Sequence, residues 1–279
     1  MLGIYNEILP PSGVEFAAFL NLGDISFSHQ HSVYYKHLAV GRSNLLRIYE
    51  VRQHLANKEE EDSSPIHSSE ITGYRLHLLR QHSLHGVITG LAAVQTLASD
   101  TDGRDRLLIS FEDAKLALLE WSDALYDMTT VSIHSYERSV YLLNAEFASS
   151  RAQLRTDPNN RCAALVLPRD AIALLPWYQT QAEFDLQESV QNIARELPYS
   201  PSFVIRYASM DERIRNVIDV VFLPGFNTPT IAVLFQHQQT WTGRLKECKD
   251  NTSLFIISLD LVAKSYQVIT EVENLPYDP

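Results

Sequence analysis

Histidine is the side chain in this sequence best suited to chemistry, because it can bind metals and move protons near neutral pH. His29 and His31 lie two residues apart in a polar stretch. Three more, His77, His82 and His85, fall within one short segment. A metal site needs ligands that converge at fixed geometry, with further groups that orient them. These histidines have no partnering Cys or Asp, so we expect no metal site.

Acidic residues could perform acid–base chemistry, and the pair Glu112-Asp113 is the closest candidate. Asp favours turns, however, and a turn accounts for this pair. Asp123 and Asp127 are expected to be solvated. The sequence contains no P-loop, dinucleotide-binding glycine motif, G-x-S-x-G or H-E-x-x-H. We therefore predict no catalytic residue and no cofactor, and a protein that is not an enzyme.

The two cysteines, Cys162 and Cys248, form no C-x-x-C pattern. This argues against a disulfide framework or a zinc site and favours a reducing compartment. No apolar run approaches the roughly 20 residues that span a bilayer. We expect this chain to bind neither a membrane nor a small-molecule substrate.

Arginines near aromatic residues could bind single-stranded nucleic acid, in which bases stack on rings and phosphates pair with cations. The residues that fit this pattern best are Arg42, Arg47, Arg151, Arg155, Trp241 and Arg244. The net charge of −11 argues against a chain whose main surface binds phosphate. Trp121, Trp177 and Trp241 would also fit between packed sheets, which is the favoured interpretation.

The stretch 105–137 shows which elements must position these side chains. Two apolar runs, 107–111 and 116–121, flank a short polar break, and an alternating run rich in β-branched and aromatic residues follows at 129–136. The same residues would also fit one face of a helix. The equivalent stretch 161–177 carries Pro168 and Pro176, which would make a poor helix. Strands are therefore predicted for both stretches.

This unit of two runs around a break occurs four times along the chain. The units start at Leu38, Leu107, Ala163 and Thr230. A further strand is predicted before each unit, at 14–20, 87–97, 152–155 and 217–223. Another is predicted after each unit, at 74–79, 129–136, 203–208 and 266–272. The intervals exceed the roughly 40–45 residues of a compact propeller blade, so loops must carry the excess.

Units of four strands with apolar residues on both faces predict an all-β fold, a degenerate WD-repeat-like β-propeller without the Trp-Asp dipeptide. Four blades are few for a closed ring. We expect residues 1–279 to form an incomplete arc in the N-terminal part of a longer, multi-propeller polypeptide. The acidic stretch 57–70 is predicted to be a disordered insertion. Residues 179–197 are predicted to form an amphipathic helical insertion.

Six stretches of the sequence resemble one known family. They include Pro-Pro-x-Gly-x-Glu-Phe at 10–16, Gln-Thr-Trp-x-Gly-Arg at 239–244, and the stretches 108–116, 157–164, 217–226 and 229–235. The family is that of the largest (A) subunit of the cleavage and polyadenylation specificity factor. It is related to the large damaged-DNA-binding protein and to a splicing-factor subunit. The resemblance runs nearly end to end and in the same order.

The resemblance implies a nuclear scaffold that is not an enzyme. The family member holds the zinc-finger and WD-repeat subunits that read the polyadenylation signal, and contact with pre-mRNA is expected to be indirect. Two alternatives stay open from the sequence. One is direct binding of RNA or DNA by the propeller, and the other is an adaptor for damaged DNA or a ubiquitin ligase, as in the related family.

Overall fold

The computed structural model describes residues 13–23, 36–55, 71–96, 98–112, 114–136, 152–167, 171–177, 202–236 and 252–275. These residues form four separate sheets of four antiparallel strands each. Within every sheet the strands follow one another in chain order, so each sheet is a simple meander. We refer to the sheets as blades 1 to 4.

The strand bounds are as follows. Blade 1 contains β1 (Phe16–Leu20), β2 (His37–Arg42), β3 (Leu45–Leu55) and β4 (Ile71–Ser83). Blade 2 contains β5 (Ile88–Val94), β6 (Arg106–Phe111), β7 (Lys115–Ser122) and β8 (Asp127–Ser135). Blade 3 contains β9 (Gln153–Thr156), β10 (Cys162–Leu167), β11 (Ala171–Pro176) and β12 (Phe203–Arg206). Blade 4 contains β13 (Val217–Phe222), β14 (Thr230–Gln236), β15 (Thr252–Asp260) and β16 (Ser265–Leu275).

The first strands of successive blades contact one another, β1 with β5, β5 with β9, and β9 with β13. This order places the first strand of each blade on the inside of an arc and the fourth strand on the outside. Such an arrangement is that of consecutive propeller blades. The predicted all-β propeller arc is confirmed, and each predicted strand overlaps an observed one.

Three apolar clusters lie between neighbouring blades and hold the arc together. One joins blades 1 and 2, one joins blades 2 and 3, and one joins blades 3 and 4. Alternation along the strands divides the residues among them: in β11, Ala173 and Leu175 face blade 2, whereas Ile172 and Leu174 face blade 4. Strands of the middle blades are therefore apolar on both faces because each face meets another blade.

Among the described residues, two single-turn helices interrupt this pattern, α1 (Ser99–Asp102) before β6 and α2 (Tyr207–Met210) after β12. Neither was predicted, because four residues are too few to show helical periodicity. In the parts of the chain that the structure describes, no helix has the length and apolarity needed to cross a bilayer. The predicted insertions at 57–70 and 179–197 lie outside the described residues.

Candidate functional site

The structure describes three of the six residues that were predicted to contact nucleic acid. Arg42 is exposed at the end of β2, and Arg47 donates from Nε to Oε1 of Gln81 at 2.9 Å on the same blade. Arg155 lies on the inner strand β9, two blades away. Arg151, Trp241 and Arg244 lie outside the described residues. The three described arginines therefore do not form one basic patch.

The guanidinium of Arg155 links blade 3 to blade 4. Its Nε donates to the carbonyl oxygen of Val220 at 2.7 Å, and Nη2 donates to Oδ1 of Asp219 at 2.7 Å. Within blade 3, Nη2 also donates to Oε1 of Gln153 at 2.7 Å and Nη1 to the carbonyl oxygen of Leu154 at 3.0 Å. A guanidinium has five N–H donors, so most of this group's capacity is used. Phosphate binding at Arg155 would have to compete with the contacts between these blades.

A second link between blades 3 and 4 is built at the turn between β9 and β10. Nε and Nη2 of Arg161 donate to the two carboxylate oxygens of Asp157 at 2.7 and 2.9 Å. The Asp157 side chain is fully buried. Nη1 of Arg161 reaches blade 4 and donates to the carbonyl oxygen of Phe226 at 2.8 Å. A buried carboxylate needs such a partner because its desolvation in isolation is costly.

Blades 1 and 2 are linked by polar and aromatic contacts along β4. Nε2 of His82 lies 2.8 Å from Oδ1 of Asp127. The guanidinium of Arg80 sits over the ring of Tyr126 at 4.9 Å, and that ring meets Trp121 edge to face at 5.3 Å. The expectation that Asp127 is simply solvated was wrong, because the curvature of the arc brings the outer strand of blade 1 against the β7–β8 turn.

Blade 2 carries its own cluster of charges around α1. Arg106 donates through both terminal nitrogens to the two carboxylate oxygens of Asp102, at 2.8 and 2.9 Å, and lies 3.5 Å from Glu120. Burial opposes ionisation of Asp102, but hydrogen bonds from Arg106 and from the Arg104 amide outweigh it and lower the pKa of this carboxyl. Asp123 stays largely exposed yet pairs with Arg104 at 2.8 Å. These charges are satisfied among themselves.

His134 links blade 2 to blade 3. Its Nε2 lies 3.1 Å from Oγ of Ser132, and its Nδ1 lies 3.4 Å from Oγ of Ser202, which precedes β12. Burial lowers the pKa of His134 because the charged imidazolium loses its hydration. Two hydroxyl neighbours suit a neutral ring, which donates from one nitrogen and accepts at the other.

The described tryptophans pack between blades, as we predicted from the sequence. Trp121 belongs to the cluster between blades 1 and 2, and Trp177 to the cluster between blades 2 and 3. They are 6% and 1% exposed. A base could not stack on either ring without opening the arc. Trp241 lies outside the described residues, so stacking at that position stays a prediction.

A cavity of about 580 Å³ opens along the inner strands of blades 1 to 3. Its lining residues are Phe16, Thr89, Gly90, Leu91, Ala92, Gln153, Leu154, Arg155 and Thr156. Gly90 is needed here because a Cβ at this position would lie 2.9 Å from Cβ of Leu154 on the next blade. The lining offers amide and hydroxyl groups for contact with a ligand, and its one charged group is the Arg155 guanidinium that links blades 3 and 4.

Metal ligands and nucleophiles do not converge in the described ranges. No group of three or more His, Cys, Asp or Glu residues is placed there to hold a metal ion. His77 is exposed on β4, whereas His82 is engaged with Asp127. Cys162 is fully buried, and burial raises the pKa of its thiol, with the charge of Asp157 acting in the same direction. A protonated, buried thiol is a poor nucleophile.

The polar links between blades were missed by the sequence analysis. One signal was present, because Asp157 and Arg161 have an Asp-x-x-x-Arg spacing just before the second strand of blade 3. Asp102 and Arg106 have the same spacing, but their ion pair lies within blade 2. Arg155 with Asp219 had no such signal, because the two residues are far apart in the chain. Only the stacking of blades brings them together.

Comparison with known proteins identifies one family. Residues 26–276 match the sequence model of the RSE1/DDB1/CPSF1 first β-propeller. A Schizosaccharomyces pombe protein named cft1 is 34% identical over 216 residues, which are 76% of this chain and 15% of that protein. A Debaryomyces hansenii protein named CFT1 is 29% identical over 265 residues, 87% of this chain and 18% of its own length.

An animal relative is similar to the same extent. Cleavage and polyadenylation specificity factor subunit 1 of Drosophila melanogaster is 27% identical over 251 residues, covering 87% of this chain and 17% of the relative. The chain therefore spans about a fifth or less of the length of these relatives.

Proposed function

We propose a function for this chain on the basis of its family. The match over residues 26–276 shows that the chain belongs to the RSE1/DDB1/CPSF1 first β-propeller family. The proposed function is that of a scaffold in the nuclear machinery that cleaves and polyadenylates pre-mRNA. The observation that carries it is the similarity of most of this chain to cleavage and polyadenylation specificity factor subunit 1. The proposed role is to organise other subunits and not to catalyse a reaction.

The proposed partners are zinc-finger and WD-repeat subunits of the polyadenylation specificity factor. These subunits would read the polyadenylation signal, and pre-mRNA would be held in the complex mainly through them. The proposed location is accordingly the nucleus. The notion of a scaffold is supported by the packing of the blades, because rigid blades hold the loops at both edges of the arc in fixed positions for partners.

The test is to tag the protein at its own genomic locus and to identify by mass spectrometry what co-purifies. We expect cleavage and polyadenylation subunits at near-stoichiometric amounts. A matched Leu165→Asp variant, which places a charge in the cluster between blades 2 and 3, should lose them. Recovery of splicing or ubiquitin-ligase subunits instead would contradict the proposal and favour the adaptor alternative.

Direct binding of RNA or DNA is a separate candidate function, and a different measurement would reveal it. Affinity carried by phosphate contacts falls steeply with salt, and each lost contact lowers the slope of log K against log salt by about 1. Because the Arg155 and Arg161 guanidiniums are engaged in links between blades, we expect weak binding of single-stranded RNA. Tight, salt-sensitive binding of RNA would favour the nucleic-acid alternative if two further conditions hold. The double variant Arg42→Ala with Arg47→Ala should weaken the binding, and the control variant Arg215→Ala should leave it unchanged.

A further inference from the structure

We draw no further inference here: the strongest candidate, the cavity along the inner strands of blades 1 to 3, carries none, because its one charged lining group, the Arg155 guanidinium, already donates to Asp219 and to the carbonyl oxygen of Val220, and nothing in the structure shows what ligand would fill it.

Discussion

Blade 3 and blade 1 follow the same alternating pattern, but they differ in what covers their faces. In blade 3, every residue of β11 is buried, because blades 2 and 4 lie on either side. In blade 1, Leu79 is buried against blade 2 while its neighbours Leu76 and Leu78 are exposed. The alternation of side chains along a strand decides which face of the sheet each side chain lies on. The neighbouring blade decides whether that face is buried and so contributes to stability.

The largest expected effect tests that difference directly. Leu174→Ala removes a fully buried side chain between blades 3 and 4 and should lower the free energy of unfolding by about 4 kcal/mol through lost burial and a cavity. The matched change Leu78→Ala on the exposed face of blade 1 should cost less than about 1 kcal/mol. Urea unfolding of the two variants measures both values. Equal losses would show that blade 1 is covered in solution.

The next effect concerns the buried charge between the same blades. Arg161→Ala leaves the carboxylate of Asp157 buried without its guanidinium, and should lower the free energy of unfolding by about 3 kcal/mol. Replacing both residues, with Asp157→Asn added, should restore part of the loss. A double-mutant cycle in urea gives the coupling energy. A coupling near zero would mean that water compensates the carboxylate and that the link does not stabilise the arc.

A smaller, pH-dependent effect is expected at the boundary of blades 2 and 3. Because burial lowers the pKa of His134 in the folded state, the unfolded chain binds the proton more readily. The contribution of the neutral ring is present above the ordinary His pKa of about 6.5 and is lost as the pH falls below it. Thermal unfolding between pH 7.5 and 5 should show this loss, and His134→Gln should reduce its slope. An unchanged slope in that variant would assign the pH dependence to other groups.

The smallest expected effect is the absence of alkylation at Cys162. Cys162 lies in the cluster between blades 3 and 4, where burial raises the pKa of its thiol. In the folded protein, iodoacetamide should leave Cys162 unmodified, and peptide mapping distinguishes it from Cys248. Rapid labelling of Cys162 without denaturant would indicate that blades 3 and 4 separate easily. Leu174→Ala should increase the labelling rate if local opening controls access.

Much of the fold could be predicted because strand formation depends on local pattern. Apolar runs separated by polar breaks correspond to β6 with β7 and to β10 with β11. Pro168 and Pro176 argued against a helix there, and the structure has β10 ending at Leu167 and β11 ending at Pro176. The single-turn helices α1 and α2 could not be predicted, since four residues carry no periodic signal.

The predicted binding residues show where sequence reasoning stops. Arg155 was a reasonable candidate for phosphate because it is basic and close to other arginines in the chain. In the fold it meets Asp219 of the next blade, 64 residues away. The position of one blade relative to the next depends on how all the side chains between them pack. No local sequence pattern predicts that position.

The sequence by itself determined the strand order, the fourfold unit and the two-sided apolar character of the middle blades, because these follow from side-chain type and spacing. Only the tertiary structure decided which arginines link neighbouring blades, and that Trp121 and Trp177 are too buried for a base to stack on them. The physical reason is that burial and charge pairing depend on neighbours that are distant in the chain and that only the stacking of blades brings into contact.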